Sequence, residues 1–358
     1  MLPEKYKALS DSETFPLIKQ AKEKLGDDLF ILAHHYQRDE VIQFADAIGD
    51  SLMLSQRAAK TSSKYIVFCG VTFMAETADI ITDDDQTILH PDLSAGCPMA
   101  DMAPASQIRK AWKELEEVIG DTSNVIPITY INSYAETKAF CGEHNGVVCT
   151  SSNADKILKW ALEQDKKVFF FPDQHLGRNT AHKLSITNDQ MALWQREKEY
   201  GGLGEEELKA TKIYLWNGCC PVHERFKYDD LKAIRERDPE IKILVHPEVP
   251  EELANDADYM GSTQYIVNMI EEAPAGSKWA IGTEVHLVSR LAKNHPDKQI
   301  LLIGTPICMC SMMDRISPQY LLWTLESLVN GEVINVVKVP ENIAKNAVKA
   351  LDRMFELT

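Results

Sequence analysis

The sequence contains no long hydrophobic run, although 44% of its 358 residues are hydrophobic. Its most apolar segments, at 168–171 (VFFF) and 300–304 (ILLIG), have the length of a strand and are too short to span a membrane. The first 26 residues lack the apolar centre of a signal peptide and instead have the pattern of an amphipathic helix. We therefore expect a protein of the cytoplasm that does not enter a membrane.

Positive charge and low-complexity sequence are also scarce. The 38 Lys and Arg residues are outnumbered by 54 Asp and Glu residues, which gives a net charge of −16. Proteins that bind nucleic acid rely on clustered Lys and Arg, so we expect no nucleic-acid partner. The sequence has no Gly/Ser-rich linker, and we expect domains that pack tightly together.

The eight cysteines do not form the compact C-x2-C-x2-C run of ferredoxins. In a cytosolic protein of this size, cysteines favour metal binding or burial as thiols over a disulfide framework. Three of them, Cys97, Cys220 and Cys310, end three similar stretches of sequence. These three cysteines are therefore the candidates for metal ligands.

One pattern of strands, polar residues and turns occurs three times along the chain. Each copy contains three apolar runs separated by helical stretches, and the third run leads to one of the three cysteines. The runs are at 29–33, 65–68 and 86–90 in the first copy, at 125–129, 167–171 and 212–216 in the second, and at 241–245, 278–281 and 299–303 in the third. This alternation predicts an α/β fold with parallel strands and right-handed crossovers.

The repeats predict three similar domains, each with a parallel sheet between helices. We expect them at 28–98, 122–221 and 241–311, with packing helices at 1–27 and 312–358. A further strand is expected at 333–339. A pseudo-threefold axis would bring the three cysteines to a central site, because ligands bind at the carboxyl ends of parallel strands.

Polar triplets follow the first strand of each copy. Positions i and i+2 lie on the same side of a strand, which pairs His34 with Tyr36, Tyr130 with Asn132, and His246 with Glu248. A single histidine is more often structural than catalytic. Six polar residues at equivalent strand ends instead indicate a site with groups for proton transfer.

A small-residue turn precedes the next helix of each copy, at 49–51 (GDS), 150–152 (TSS) and 261–263 (GST). Ser and Thr at a helix start usually cap the helix. Three such turns facing one centre would instead bind carboxylate or phosphate groups through helix N–H groups. The expected ligand therefore carries several negative charges.

The cysteines also indicate a cofactor. A lone cysteine is more often a buried apolar residue, which is how we interpret Cys69, Cys141 and Cys149. Three thiolates at one centre would repel one another unless a metal neutralised them. A structural zinc site normally has four protein ligands, so three cysteines favour a [4Fe–4S] cluster with one iron open as a Lewis acid. Cys219 and Cys308 lie within two residues of the proposed ligands, and the sequence leaves an exchange open.

Eight short motifs occur in the order found in one enzyme family. They are AHHYQ (33–37), GDSL (49–52), CPMAD (97–101), YINS (130–133), TSSNA (150–154), CPVHERF (220–226), HPEV (246–249) and GSTQYI (261–266). On these motifs the chain resembles quinolinate synthase, the A protein of bacterial NAD biosynthesis, from about residue 27 to the C-terminus.

The resemblance implies three α/β domains around a pseudo-threefold axis and a [4Fe–4S] cluster held by three cysteines. It implies that iminosuccinate (iminoaspartate) and dihydroxyacetone phosphate condense to quinolinate, with loss of phosphate and two waters. It also implies L-aspartate oxidase, which supplies iminosuccinate, as a partner.

The resemblance also implies roles for individual residues. Cys97, Cys220 and Cys310 would be the cluster ligands. Carboxylate and phosphate groups would be held by His34, Ser51, Ser151, His246, Ser262 and Thr263, with Ser152 as the alternative to Ser151. Tyr36 and Glu248 would transfer protons, Tyr130 and Asn132 would line the cavity near the open iron, and His223 is a further catalytic candidate.

Two other functions are compatible with the same residues. One is a different [4Fe–4S] hydro-lyase that acts on a hydroxy acid through the same open iron. The other is a cluster-bearing sensor or electron carrier without catalysis. Converging His, Tyr and Glu residues count against the second, because an electron carrier needs no anion pocket.

Overall fold

The structure is a computed structural model that describes residues 2–304 and 308–358. Its strands consist largely of buried Val, Ile, Leu and Phe, residues that suit a sheet covered on both faces. The strands are β1 (Leu29–His34), β2 (Ala47–Gly49), β3 (Tyr65–Cys69), β4 (Thr87–Leu89), β5 (Val125–Tyr130), β6 (Val147–Cys149), β7 (Lys167–Phe171), β8 (Met191–Trp194), β9 (Ile213–Trp216), β10 (Lys242–Val245), β11 (Tyr259–Met260), β12 (Lys278–Gly282), β13 (Gln299–Leu302) and β14 (Val336–Val337).

Helices alternate with these strands. The α-helices are α1 (Glu4–Lys7), α2 (Asp11–Leu25), α3 (Asp39–Ile42), α4 (Ser51–Ala58), α5 (Thr72–Ile81), α6 (Pro98–Asp101), α7 (Ala105–Ile119), α8 (Ala135–Glu143), α9 (Ala154–Leu162), α10 (Gln174–Lys183), α11 (Glu205–Ala210), α12 (Tyr228–Arg237), α13 (Glu251–Asp256), α14 (Thr263–Glu272), α15 (Val285–Asn294), α16 (Ser311–Asp314), α17 (Pro318–Val329) and α18 (Glu341–Glu356). Short 3-10 helices lie at Gly26–Asp28, Thr122–Asn124, Asn188–Gln190, Glu199–Gly202 and His223–Arg225.

The strands form three sheets with one shared topology. Each contains four parallel strands in the spatial order second, first, third, fourth: β2-β1-β3-β4, β6-β5-β7-β9 and β11-β10-β12-β13. Each predicted apolar run lies on a strand of these sheets. The prediction of an α/β fold with three parallel sheets is therefore confirmed.

The sequence did not reveal every strand. The second strand of each sheet has only two or three residues, too few for a period to be recognised. β8 adds a parallel edge beside β9 in the second sheet. β14 lies within the predicted run at 333–339 and pairs antiparallel with β4.

By compactness, the chain divides into two units. One unit consists of Met1–Cys97, Glu284–Arg290 and Met309–Val339, and it contains the first sheet. Its core joins α2 and α17 through buried residues such as Ile18, Leu321 and Leu325. The boundaries of three separate domains stay a prediction.

The other unit consists of Pro98–Thr283, Leu291–Cys308 and Pro340–Thr358, and it contains the second and third sheets. The C-terminal helix α18 covers α8 and β6 in this unit. Across the described residues of both units, the helices are too short or too polar to cross a membrane.

Candidate active site

The shared strand order fixes where polar groups can meet. In each sheet the chain changes direction between the first and third strands, and ligands bind at the carboxyl ends of strands at such a point. The three polar triplets follow the first strands β1, β5 and β10, which lie at this switch point. The fold therefore places the predicted triplets where a ligand is expected.

His34 and Tyr36 lie together at the end of β1 in the first unit. His34 pairs with Gly49 at the end of β2, and the His35 N–H donates to the Gly49 carbonyl over 3.1 Å. The backbone N–H of Tyr36 donates to Nδ1 of His34 over 3.1 Å, and their ring centroids are 4.7 Å apart. The contact fixes the His34 tautomer, because an Nδ1 that accepts leaves the proton on Nε2 of the neutral ring.

Ser51 is the first residue of α4, directly after β2. The residue that caps this helix is Asp50, whose carboxylate accepts the Met53 N–H over 2.9 Å. Capping therefore does not explain Ser51. Its place at a helix N-terminus suits a ligand with negative charge.

The second unit contains a buried cluster of two histidines and a carboxylate. His223 Nδ1 lies 2.7 Å from Glu248 Oε2, and His246 Nδ1 lies 3.9 Å from the same oxygen. The rings of His223 and His246 stack with centroids 4.7 Å apart. His223 Nε2 lies 3.2 Å from the Thr283 hydroxyl. The cluster is formed by the loop after β10 and the 3-10 helix that contains His223.

The charges in this cluster follow from burial and proximity. Burial opposes ionisation of Glu248, but the imidazoles of His246 and His223 and hydrogen bonds from His223 and Tyr130 outweigh it and lower the Glu248 pKa to about 2. Burial lowers the pKa of His246 to about 3, against the attraction of Glu248. At neutral pH, Glu248 is therefore a carboxylate and His246 is a neutral imidazole.

Tyr130 and Asn132 belong to the same region. Tyr130 is buried at the end of β5, beside Cys149 of β6, and donates to Glu248. The Oδ1 atom of Asn132 is buried without a hydrogen-bond partner among the described residues, and so is Nδ1 of His246. Buried polar atoms without protein partners indicate groups that a ligand would satisfy.

Asn179 holds the Glu248 loop in place. Its side-chain amide, on α10, donates to the carbonyls of Pro247 and Val249, each over 2.9 Å. Both neighbours of Glu248 in the chain are thereby tied to a helix of the second sheet. These two hydrogen bonds fix the backbone on either side of Glu248 relative to α10.

Ser151 and Ser262 line one cavity of about 230 Å³ in the second unit. Ser262 caps α14, and its hydroxyl accepts the Tyr265 N–H over 3.2 Å. Thr263 is the buried first residue of that helix. Ser152 also lines the cavity but is exposed, whereas Ser151 is half-buried, which favours Ser151.

Lys183 supplies a positive charge to this cavity. It lies at the end of α10, and its Nζ donates to the Met260 carbonyl over 3.0 Å. Burial lowers its pKa, and Asp155 opposes the change. The cavity therefore combines the hydroxyls of Ser151, Ser152, Thr180 and Ser262 with the cation of Lys183 and the carboxylate of Asp155, which are groups that can hold a polar ligand by hydrogen bonds.

The cysteines separate into two groups by exposure. The predicted ligands Cys97, Cys220 and Cys310 are half-buried, whereas Cys69, Cys141, Cys149 and Cys308 are buried. Burial raises the pKa of Cys69 to about 12, so this thiol is a poor source of thiolate. The thiols that a metal can reach are thus the predicted ones together with Cys219.

The sequence alone did not decide between Cys219 and Cys220, or between Cys308 and Cys310, as metal ligands. Ligand atoms of Cys220, His223 and Glu248 all lie within 4.8 Å of one another. Burial raises the pKa of Cys219 to about 12. These observations favour Cys220 over Cys219, and the burial of Cys308 favours Cys310. Convergence of the three ligands on one centre stays a prediction.

The half-buried thiols fit an iron–sulfur cluster in their chemistry. Thiolates are the usual ligands of such clusters, and these three thiols are partly exposed, unlike the buried ones. The Cys220 group also contains a nitrogen and an oxygen donor, which a mononuclear zinc site would use. Metal analysis separates the two.

Four polar side chains near these loops and cysteines were not predicted from the sequence. Asp173 and Glu284 each lie two residues after the third strand of a sheet, while Asn179 and Lys183 lie on α10. Aligning the copies through FFFPD (169–173) and AIGTE (280–284) would have indicated the two acidic positions. Asn179 and Lys183 carry no pattern that separates them from other polar residues on a helix.

The chain was compared with known proteins. The family model described as "NadA: Quinolinate synthetase A protein" matches residues 17–356. A quinolinate synthase of Geobacillus sp. (strain WCH70) is 51% identical over 360 residues, covering 99% of this chain and 96% of the relative. That of Bacillus subtilis (strain 168) is 51% identical over 359 residues, covering 100% and 97%. That of Bacillus mycoides (strain KBAB4) is 50% identical over 360 residues, covering 99% and 96%. These matches, over nearly the whole length of each chain, show that the protein is an enzyme of the quinolinate synthetase A family.

Proposed function

We propose that this enzyme condenses iminosuccinate with dihydroxyacetone phosphate to give quinolinate, with loss of phosphate and two waters, for the synthesis of NAD. The relatives' name supports the product. The observation that carries the proposal is the buried group of Glu248, His223, His246 and Tyr130 beside Cys220. A carbon–carbon condensation with two dehydrations needs several proton transfers, and this group can provide them.

We infer that Cys97, Cys220 and Cys310 hold a [4Fe–4S] cluster. The half-buried state of all three thiols supports the assignment. When bound, the cluster would supply an open iron as a Lewis acid that polarises a hydroxyl or carbonyl oxygen.

Glu248 acts as the base in this proposal. It is ionised before substrate arrives, because its pKa is low, and the His223 Nδ1–H, 2.7 Å away, donates a hydrogen bond that orients it. A polyanionic substrate would raise the proton affinity of Glu248, since like charges disfavour the ionised form. Tyr130 already donates to Glu248 and can relay a proton, and Tyr36 is the second phenol donor.

Anionic groups of the substrates are held by residues at helix starts. Ser51 and Thr263 are the first residues of α4 and α14, where the N–H groups and the helix dipole favour negative charge. Ser151 and Ser262 line the cavity that also contains Lys183. A neutral His246 and His34 would donate hydrogen bonds to carboxylate or phosphate oxygens, and Asn132 would complete the lining.

Three further features belong to the proposal. L-aspartate oxidase would supply iminosuccinate, which is hydrolysed easily and gains from a nearby source. The eight cysteines favour a reducing compartment, the cytoplasm. The domains would run over 28–98, 122–221 and 241–311.

The test is metal and sulfide analysis of protein purified without oxygen, together with an assay of quinolinate formation from the two substrates. We expect about four iron and four sulfide per chain and quinolinate only when both substrates are present. Zinc in place of iron, with activity, would replace the cluster by a mononuclear site. Loaded protein that forms no quinolinate would overturn the proposed reaction.

A further inference from the structure

Two buried carboxylates occupy equivalent places in the second and third sheets. Asp173 lies two residues after the end of β7 and directly before α10, and Glu284 lies two residues after the end of β12 and directly before α15. β7 and β12 are the third strands of their sheets. Both side chains have 0% exposure. In two sheets, the same topology thus places an acidic residue two positions after the third strand.

Each of these carboxylates accepts a hydrogen bond from a proposed ligand cysteine. The Cys220 N–H donates to Asp173 Oδ2 over 3.2 Å. The Cys310 N–H donates to Glu284 Oε1, also over 3.2 Å. The first contact lies within one compact unit and the second within the other, so two independent parts of the chain have the same arrangement.

Helix capping explains only part of each arrangement. Asp173 Oδ1 accepts the Leu176 N–H over 2.8 Å, which is an ordinary cap, and Oδ2 is the oxygen that reaches Cys220. Glu284 Oε2 accepts the His286 N–H over 2.8 Å, and Oε1 lies 2.9 Å from His286 Nδ1 while it also accepts from Cys310. The contact with cysteine is therefore additional to the cap.

In the first sheet, the residue after the equivalent strand end that contacts the cysteine segment is a threonine and not an acid. The position equivalent to Asp173 is Val71, two residues after β3. There Thr72 donates both its N–H and its hydroxyl to the Ala95 carbonyl, over 2.9 and 3.0 Å, two residues before Cys97. In two of the three cysteine segments the cysteine N–H itself is thus bound by a buried carboxyl group.

We propose that Asp173 and Glu284 are positioning residues that fix the backbones of Cys220 and Cys310 for the cluster and make its reduction less favourable. The inference rests on the proposed [4Fe–4S] cluster. Groups that orient a metal ligand typically change metal affinity 10- to 100-fold when removed. Backbone N–H groups that bond to cluster sulfur favour the reduced state, as does loss of nearby negative charge. A carboxylate that accepts the cysteine N–H withholds that donor from the cluster sulfur and adds negative charge nearby. Both effects oppose reduction of the cluster, which suits a cluster that polarises substrate.

The test uses two substitutions at each position in full-length protein reconstituted without oxygen. Asp173→Ala and Glu284→Ala remove the acceptor, whereas Asp173→Asn and Glu284→Gln keep an acceptor oxygen and remove the charge. The measurements are the rate of iron loss to a chelator and the reduction potential followed by electron paramagnetic resonance. Asp79→Asn is the matched control, because Asp79 is a buried carboxylate that accepts the Val339 N–H over 2.7 Å in the first unit.

We expect the alanine variants to lose iron about 10- to 100-fold faster than the wild type. The amide variants should retain iron nearly as well as the wild type but have a more positive reduction potential, and the control should match the wild type in both. Wild-type iron retention in folded alanine variants would overturn the inference. If the alanine variants do not fold, an unchanged potential in the amide variants would overturn it. A wild-type protein that takes up no cluster would instead overturn the proposed cofactor.

Discussion

The Nδ1 atom of His223 lies 2.7 Å from Oε2 of Glu248, and the two side chains are 1% and 3% exposed. Away from water, this contact is a charge-assisted hydrogen bond in which the His223 Nδ1–H donates to the ionised carboxylate. The ring of His246 stacks on that of His223, and its Nδ1 lies 3.9 Å from the same carboxylate oxygen. The carboxylate is thus ionised and held in one orientation, as the proposed base requires.

Replacing Glu248 by Gln should slow turnover and leave the remaining steps intact. Gln has the same shape but cannot accept a proton from carbon, and general-base catalysis is typically worth about 10²–10⁴-fold. We expect kcat to fall by about that factor while iron content and substrate KM stay near wild-type values. Steady-state kinetics on iron-matched samples provide the check. Turnover within a factor of three of the wild type would show that Glu248 is not the base and would assign that role to Tyr36 or a histidine.

Ser51→Ala and Thr263→Ala should weaken substrate binding without destabilising the helices they begin. The caps of those helices are Asp50 and Ser262, so neither hydroxyl is needed for capping. Each change removes a hydrogen bond to a charged group, about 1.5–3 kcal/mol, which corresponds to about a 10- to 150-fold rise in KM.

Asp50→Ala is the contrasting variant for this pair. Loss of a cap should lower the free energy of unfolding by about 0.5–2 kcal/mol. Urea titrations and substrate titrations of all three variants separate the two effects. Unchanged KM values for both hydroxyl variants would assign them no part in binding.

Cysteine replacement should distinguish ligands from buried thiols. Cys97→Ala, Cys220→Ala and Cys310→Ala should each abolish the cluster, because three ligands already leave one iron open. Cys149→Ala should retain cluster and activity, since this thiol is buried and burial raises its pKa well above the usual range. The iron and sulfide content per chain of each variant distinguishes ligands from buried thiols. Loss of iron in Cys308→Ala with full loading of Cys310→Ala would move the third ligand by two residues.

Gly142→Ala should loosen the C-terminal helix. A Cβ atom at Gly142 on α8 would lie 1.8 Å from the backbone carbonyl oxygen of Asn346 on α18, and a backbone atom cannot rotate away. We expect a loss of about 1–3 kcal/mol in the free energy of unfolding. Gly204→Ala, where a Cβ meets nothing within 4 Å, should change stability by less than about 1 kcal/mol. Equal stabilities of the two variants in urea would contradict the close packing of α8 and α18.

Stability should decline in acid partly because of His90. Its ring is fully buried, both nitrogens lack hydrogen-bond partners among the described residues, and burial lowers its pKa to about 4. Between pH 6.5 and 4 the unfolded chain therefore binds a proton that the folded chain does not. Stability from this group is present above pH 6.5 and falls by about 1.4 kcal/mol per unit as the pH drops. His90→Gln should show a shallower decline between pH 6.5 and 5 in urea titrations of the metal-free protein, and an identical slope would exclude His90 as a source.

Most strands could be predicted from the local sequence pattern, whereas the site could be predicted only in part. The apolar runs at 65–68 and 167–171 predict strands because continuous Val, Ile and Phe can be buried on both faces. β11 has only two residues and pairs with β10, so no strand period can be recognised in its own sequence.

Within the site, the polar triplets could be predicted because they follow strands. The role of His223 depends on its distance to Glu248, twenty-five positions away in the chain. Asp173 and Glu284 look like ordinary helix caps in sequence, since only three-dimensional structure shows which group their second oxygen reaches.

The first unit is assembled from stretches that lie far apart in the chain, and this has a consequence for its synthesis. Its sheet is completed by β14 against β4, and its core requires α17 against α2. Chains are made at roughly 5–20 residues per second, so the ribosome needs tens of seconds to pass from Cys97 to Val339. During that time α17 and β14 are not yet made, so α2 and β4 lack these two partners, while the second sheet is already emerging. The first unit therefore completes its packing only after the second and third sheets have been synthesised.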